Sequence, residues 1–183
     1  MHASLDGFVA GLNGEMDWII HDEEIFEDAI DLAGTTDAAI YGRTTYQMME
    51  SYWPTVLTLP SSTKNELHHA QWVEDVHKIV FSKTLEKAGW NNTTLIKENI
   101  IDEMRKLKRQ PGKNMMIFGS PGLTHSFMQM DLIDQYRINI NPVVLGNGIP
   151  LFKNMNGKIR LKLLKTKMFN AGVVGLHYET ERN

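Results

Sequence analysis

Three apolar runs in this 183-residue chain end on residues suited to holding an anion. Ile40-Tyr41 leads into Gly42-Arg43-Thr44-Thr45, Val80-Phe81 into Ser82-Lys83-Thr84, and Ile117-Phe118 into Gly119-Ser120-Pro121-Gly122. A strand that runs into a helix start offers free backbone N–H groups and the positive end of the helix dipole. Glycine lets a phosphate come close to the backbone. Arg43 adds a charge-assisted, bidentate contact, and Lys83 a second cation. In parallel α/β sheets, ligands gather at the carboxyl ends of the strands. Three such ends together would suit a dinucleotide lying across a sheet edge, although any one alone is more often plain turn chemistry. Neither glycine junction is a G-x-G-x-x-G motif, and no Walker-type phosphate loop is present. The residues alone reach an anion or nucleotide site and stop there.

Other chemistries find less support. The chain has no cysteine, so disulfides, thiolate metal sites and cysteine nucleophiles are excluded. His68 and His69 are adjacent, so they do not share a helix face, and neither has an acid or histidine four residues on. No metal site is therefore expected. Asp22, Glu23, Glu24 and Glu27 crowd a helix start, where acids are also plain dipole partners. Lys158 to Lys167 is basic, but Ile159, Leu161 and Leu163 alternate with the bases, which predicts a half-buried strand over 159–169. The net charge of −3 and pI near 6.2 argue against nucleic acid as a partner. No apolar run approaches the ~18–20 residues that cross a bilayer, and no signal-peptide pattern opens the chain. A cytoplasmic protein is expected.

The elements that must position these residues follow from periodicity. Residues 22–33 carry apolar residues at helical spacing, with Asp22 as N-cap and Gly34 at the end. Residues 36–41 read as a buried strand and 44–52 as a short helix stopped by Trp53-Pro54. Pro60 and the polar 61-SSTKNE-66 read as a loop, one that could lead into a short helix. Strands are expected at 77–82 and 93–96, and a helix at 100–109 capped by Asn99. A buried strand at 114–119 and a helix at about 122–130 follow. Strands 133–140, 159–169 and 172–179 close the chain, with a hairpin turn at Phe169-Asn170-Ala171-Gly172. Gly146-Asn147-Gly148 reads as a turn, and its flanks Pro142–Leu145 and Pro150–Phe152 as buried. Alternation of strands and helices predicts a parallel, helix-covered sheet, and the last third adds antiparallel edge strands. One domain over 1–183 is expected.

In order and spacing, 4-SLDGFVAG-11, 37-DAAIYGRTTYQMM-49, 79-IVFSKTL-85, 117-IFGSPGL-123 and 132-LIDQYRININPVVLGNGIPLF-152 resemble one family. They are similar to the dihydrofolate-reductase-like superfamily, closest to the reductase domain of bacterial riboflavin biosynthesis. The resemblance implies a three-layer α/β fold with a mixed, mostly parallel sheet. It also implies an NADPH-dependent reductase acting on a small heterocyclic or carbonyl substrate, pterin- or pyrimidine-like. The alternative is a nucleotide-binding or sensing module on the same scaffold without turnover. By position, Gly42, Arg43, Thr44 and Thr45 match a first phosphate loop. Ser82, Lys83 and Thr84 match the segment at the adenosine ribose and its 2′-phosphate, and Gly119, Ser120, Gly122 and Leu123 match the pyrophosphate loop. Val9, Ala10 and Gly11 match the nicotinamide side. Ala3 and Asp6 match the strand lining the reaction site, and Glu23 falls nearest the carboxylate that holds a pteridine ring, so Asp6 and Glu23 are the catalytic candidates. His125 reads first as structural or solvated, although its place just after the pyrophosphate loop could also bring it near the ligand. A homodimer is implied, with the C-terminal third as its surface. Only Met1-His2-Ala3 precede Ser4, so either the start is truncated or the first strand is short.

Overall fold

The computed structural model describes residues 1–155 and 157–182. Along the chain the elements are β1 (His2–Ser4), β2 (Phe8–Ala10), α1 (Glu23–Gly34), β3 (Thr36–Gly42), α2 (Arg43–Val56), α3 (Lys64–Asp75), β4 (His77–Phe81) and β5 (Thr93–Ile96). They continue as α4 (Ile100–Lys108), β6 (Asn114–Ile117), α5 (Pro121–Gln129), β7 (Gln135–Asn141), β8 (Ile149–Pro150), β9 (Leu161–Met168) and β10 (Val174–Thr180). The chain divides into two compact units, one of Phe26–Leu123 and one of Met1–Ile25 with Thr124–Asn183. Parallel pairing in the central unit and largely antiparallel pairing in the terminal unit give the mixed α/β fold expected from the alternation.

In the central unit four parallel strands run in the order β5-β4-β3-β6. The inner strands β3 and β4 are buried almost throughout, which explains their apolar runs 38–41 and 79–81. Strand β6 was expected to be buried. It is only half-buried, because it lies at the edge of its sheet. Ala39, Tyr41, Tyr46, Val73, Val80 and Trp90 form the core of this unit.

Three helix boundaries differ from the sequence expectation. Helix α2 does not stop at Trp53 but runs through Pro54 to Val56, whose side chain is 2% exposed. Pro54 sits in the last turn, where one missing N–H costs little against the packing of Trp53 and Val56. Helix α3 begins inside the stretch read as a loop. Thr63 accepts from the Glu66 backbone N–H (3.2 Å) and its own N–H donates to the Glu66 carboxylate (2.7 Å), a full capping box. Asn99 does precede α4, but it adopts a left-handed conformation (φ 54°, ψ 39°) and its side chain makes no capping bond.

In the terminal unit one sheet has the order β1-β7-β10-β9, with β1 parallel to β7 and the other pairs antiparallel. Strands β2 and β8 form a separate antiparallel pair. Its core gathers Ala3, Val9, Met128, Tyr136, Ile138 and Leu151. The hairpin turn at Phe169–Gly172 is closed by Phe169 N–H to Val173 O (2.9 Å) and Gly172 N–H to Phe169 O (2.9 Å). Strand β9 is not half-buried as expected: Leu163 and Leu164 are 50% and 41% exposed. It forms the edge of its sheet, and the register shifts opposite His177 and Tyr178, which breaks the alternation. Pro142, Val144 and Phe152 also lie at the surface, while Leu151 is buried. This segment is held by its main chain, through Leu5 N–H to Val143 O (2.8 Å), so its side chains are free to face outward.

Candidate cofactor site

Because β3, β4 and β6 are parallel, their carboxyl ends open on one edge of the central unit's sheet. The three junctions singled out in the sequence all leave from that edge. Gly42 is the N-cap of α2, with extended backbone (φ −84°, ψ 165°) and no side-chain capping bond. The first-turn N–H groups of α2, at Arg43, Thr44 and Thr45, thus have no side-chain cap. The Gly42 N–H itself donates to Ser120 Oγ at 2.9 Å, tying the first junction to the third. Ser120 is buried, and both it and Gly119 adopt left-handed backbone (φ 49° and 57°), which turns the chain sharply from β6 into α5. Thr45 lies against Gly119, and Leu123 and Ser120 lie beside Gly42.

The second junction joins the first through Arg43, whose Nη1 donates to Thr84 Oγ1 at 2.9 Å. Ser82 Oγ accepts from the N–H groups of Thr84 (3.3 Å) and Leu85 (3.0 Å), which sets the turn that presents Lys83 and Thr84. Arg43, Lys83 and Thr84 are exposed. The edge therefore combines uncapped helix N–H groups, two cations and several hydroxyls, a donor set for an acceptor-rich anion. Tyr41, the last buried side chain before Gly42, carries a hydroxyl with no partner among the described residues, and burial pushes its pKa up.

The remaining candidates belong to the terminal unit. Val9 and Ala10 are buried on β2, and Ala3 is fully buried on β1. Gly11 opens a loop closed by its N–H to Glu15 O (2.9 Å) and by Asn13 donating to the Glu15 carboxylate. Asp6 is not on a strand but in the turn between β1 and β2. Its carboxylate accepts from Ser4 Oγ (2.6 Å), Leu145 N–H (3.2 Å) and Gly146 N–H (2.7 Å). The Ser4 hydroxyl above all holds the Asp6 carboxyl below the usual carboxylate range; desolvation opposes it, and the Gly146 and Leu145 amides add smaller lowering effects. Glu23 stands exposed in the first turn of α1. Its neighbour Glu24 instead accepts from Asn170 N–H (3.2 Å). His125 Nε2 lies 3.0 Å and 3.1 Å from the carbonyls of Pro150 and Leu151, the geometry of a structural anchor. Sequence reasoning missed the bonds Gly42–Ser120 and Asp6–Gly146, since both join residues far apart in the chain and neither has a local signature. No group of three or more metal-ligating side chains occurs among the described residues.

Residues 1–175 match the RibD C-terminal domain family. The chain belongs to this family. An uncharacterized protein of Bacillus subtilis (strain 168), YyaP, is 35% identical over 96% of this chain and 89% of its own length. A candidate riboflavin biosynthesis protein of Shewanella sp. PV-4 superposes with a TM-score of 0.78 at 21% identity, covering 100% of this chain and 97% of that one. The deaminase/5-amino-6-(5-phosphoribosylamino)uracil reductase of Thermotoga maritima superposes with a TM-score of 0.67 at 15% identity. This chain spans 98% of its own length but only 54% of that protein's. These superpositions confirm the fold, and membership of the family supports an oxidoreductase.

Proposed function

We propose that the chain is an NADPH-dependent reductase of a small heterocyclic or carbonyl substrate, pterin- or pyrimidine-like. Two glycines that the fold does not require carry this reading. Gly42 has an ordinary backbone conformation, and a Cβ there would meet only normal contacts, at 3.5 Å from Leu123 and 3.7 Å from Ser120. Gly122 lies in the first turn of α5 with nothing within 4 Å of a Cβ, where alanine would stabilise the helix by about 1 kcal/mol. Both stand at helix starts on the same sheet edge. A bare backbone at such points is what a phosphate needs.

In this proposal Gly42, Arg43, Thr44, Thr45, Gly119, Ser120, Gly122 and Leu123 hold phosphates of the cofactor. Ser82, Lys83 and Thr84 lie at its ribose 2′-phosphate, which Arg43 and Lys83 flank, and Val9 and Ala10 lie at the nicotinamide. NADPH supplies the hydride, while the protein supplies orientation, charge and exclusion of water. Glu23 is the proposed carboxylate for the substrate ring. We also propose one functional domain, supported by the single family match over residues 1–175, acting as a cytoplasmic homodimer.

Arg43→Ala tests the cofactor assignment. NADPH binding should weaken about tenfold, the worth of one charge-assisted contact, while NADH binding changes little. Equal loss for both cofactors would mean that Arg43 serves the turn, through its bond to Thr84, and not the 2′-phosphate. A wild-type chain that takes up no NADPH at millimolar cofactor overturns the proposal. The engagement of the Asp6 carboxylate by protein donors favours one second reading, a nucleotide-binding module without turnover. NADPH oxidation against a panel of pterins, quinones and pyrimidine ribitols separates the two.

A further inference from the structure

We infer that Asp6 is a positioning residue, not a proton carrier, and that the latch it forms with Ser4, Leu145 and Gly146 fixes the backbone of β2. Strand β2 has three residues and, among the described residues, pairs only with the two-residue β8, with a register shift between Phe8 and Ala10. So short a ladder holds a strand weakly. The latch supplies the rest. Asp6 Oδ2 accepts from Gly146 N–H at 2.7 Å, and Oδ1 accepts from Ser4 Oγ at 2.6 Å and from Leu145 N–H at 3.2 Å. Ser4, fully buried, passes the restraint on, because its Oγ accepts from the N–H of Phe8, the first residue of β2. Leu151 N–H to Gly7 O (2.8 Å) adds a second tie between the same two segments.

Gly148 sets the distance. Its Cβ, if present, would lie 2.3 Å from the Ala10 carbonyl oxygen and 3.3 Å from Phe8 Cβ. Any side chain there must displace β2. The carboxylate faces donors only, which suits a permanently ionised group and gives it no proton to deliver near neutral pH. What Asp6 does is place Val9 and Ala10, the residues assigned above to the nicotinamide; this inference rests on that assignment.

The test compares two ligands. 2′,5′-ADP carries the phosphates of the cofactor's adenosine half but no nicotinamide. Asp6→Asn turns an amide N–H₂ or a single oxygen toward the backbone donors and loosens the latch. In titrations it should weaken NADPH about tenfold, the scale of a lost charged hydrogen bond. Its affinity for 2′,5′-ADP should stay at the wild-type value. Ser4→Ala, which keeps the carboxylate and cuts the link to Phe8, should give the same split, and it carries the test if Asp6→Asn does not fold. Equal loss of both ligands, or unchanged NADPH affinity, overturns the inference while leaving the NADPH proposal standing. A wild-type chain that binds neither ligand removes the NADPH proposal, and this inference with it.

Discussion

Lys78 exposes none of its surface, yet its ammonium group is well supplied with partners. Nζ donates to the carbonyls of Glu74 (2.8 Å), Val76 (3.0 Å) and Asn91 (3.1 Å), and sits 4.6 Å from the centre of the Trp90 ring. Two of those carbonyls lie at or just beyond the C-terminal turn of α3, where helix carbonyls lack partners of their own. Burial pulls its pKa down, and the charges of Glu74 and Asp75 oppose the shift. Lys78→Met takes the donor from the buried carbonyls of Glu74 and Val76, while that of Asn91 keeps its bond from Thr93 Oγ1 (3.2 Å). Denaturant unfolding should show a loss of about 3 kcal/mol, the scale for breaking a buried charged hydrogen-bond set. A loss under about 0.5 kcal/mol, the size of an ordinary surface substitution, would mean that water replaces the lysine freely. Nothing in 77-HKIVFS-82 announced this role, because a strand covered on both faces has no alternation to show which way a lysine points.

On helix α3, His69 is the element's weak point. It is 7% exposed, its ring lies 4.6 Å from Trp53, 5.6 Å from Phe26 and 5.6 Å from Trp72, and its Nδ1 has no partner among the described residues. Burial, with a smaller contribution from His68, lowers its pKa from 6.5 to about 4. The folded chain therefore keeps this ring neutral where the unfolded chain protonates it. The stability is fully present above pH 6.5 and is lost as pH falls toward about 4. This one site contributes at most about 3 kcal/mol to that loss. His69→Phe should flatten the acid limb of the stability curve, read from denaturant midpoints across the window. An unchanged limb would assign the acid loss elsewhere, for instance to His2, whose pKa burial also lowers to about 4. The start of the same helix is legible in the spacing of Thr63 and Glu66, three apart, while its length to Asp75 is not, because Lys64–Asp75 carries only a weak apolar stripe between its polar residues.

At the scale of the whole molecule, most of the order of strands and helices follows from hydrophobic periodicity; α3 and the two-residue β8 do not. The parallel set of the central unit and the antiparallel set of the terminal unit fall where the pattern changes character. The three anion-suited junctions were visible as residue types, and the parallel sheet explains why they share an edge. Contacts that depend on long-range register stayed hidden, as Asp6 and Ser120 show, and so did the shift that exposes β9. That strand has a consequence for handling the protein. An open sheet edge bearing Leu163, Leu164 and Met168 at the surface is a template for pairing with other chains, and Lys162 and Lys165 are interspersed among those apolar residues. Lys162→Gln with Lys165→Gln should leave the melting temperature within a degree or two of wild type, since exposed charges contribute little to folding. Light scattering on concentrated samples should nonetheless rise faster for the variant. A variant that stays as clear as wild type would show that the edge is shielded by other means. The lysines of β9 would then matter less for how stable the molecule is than for how long it remains in solution.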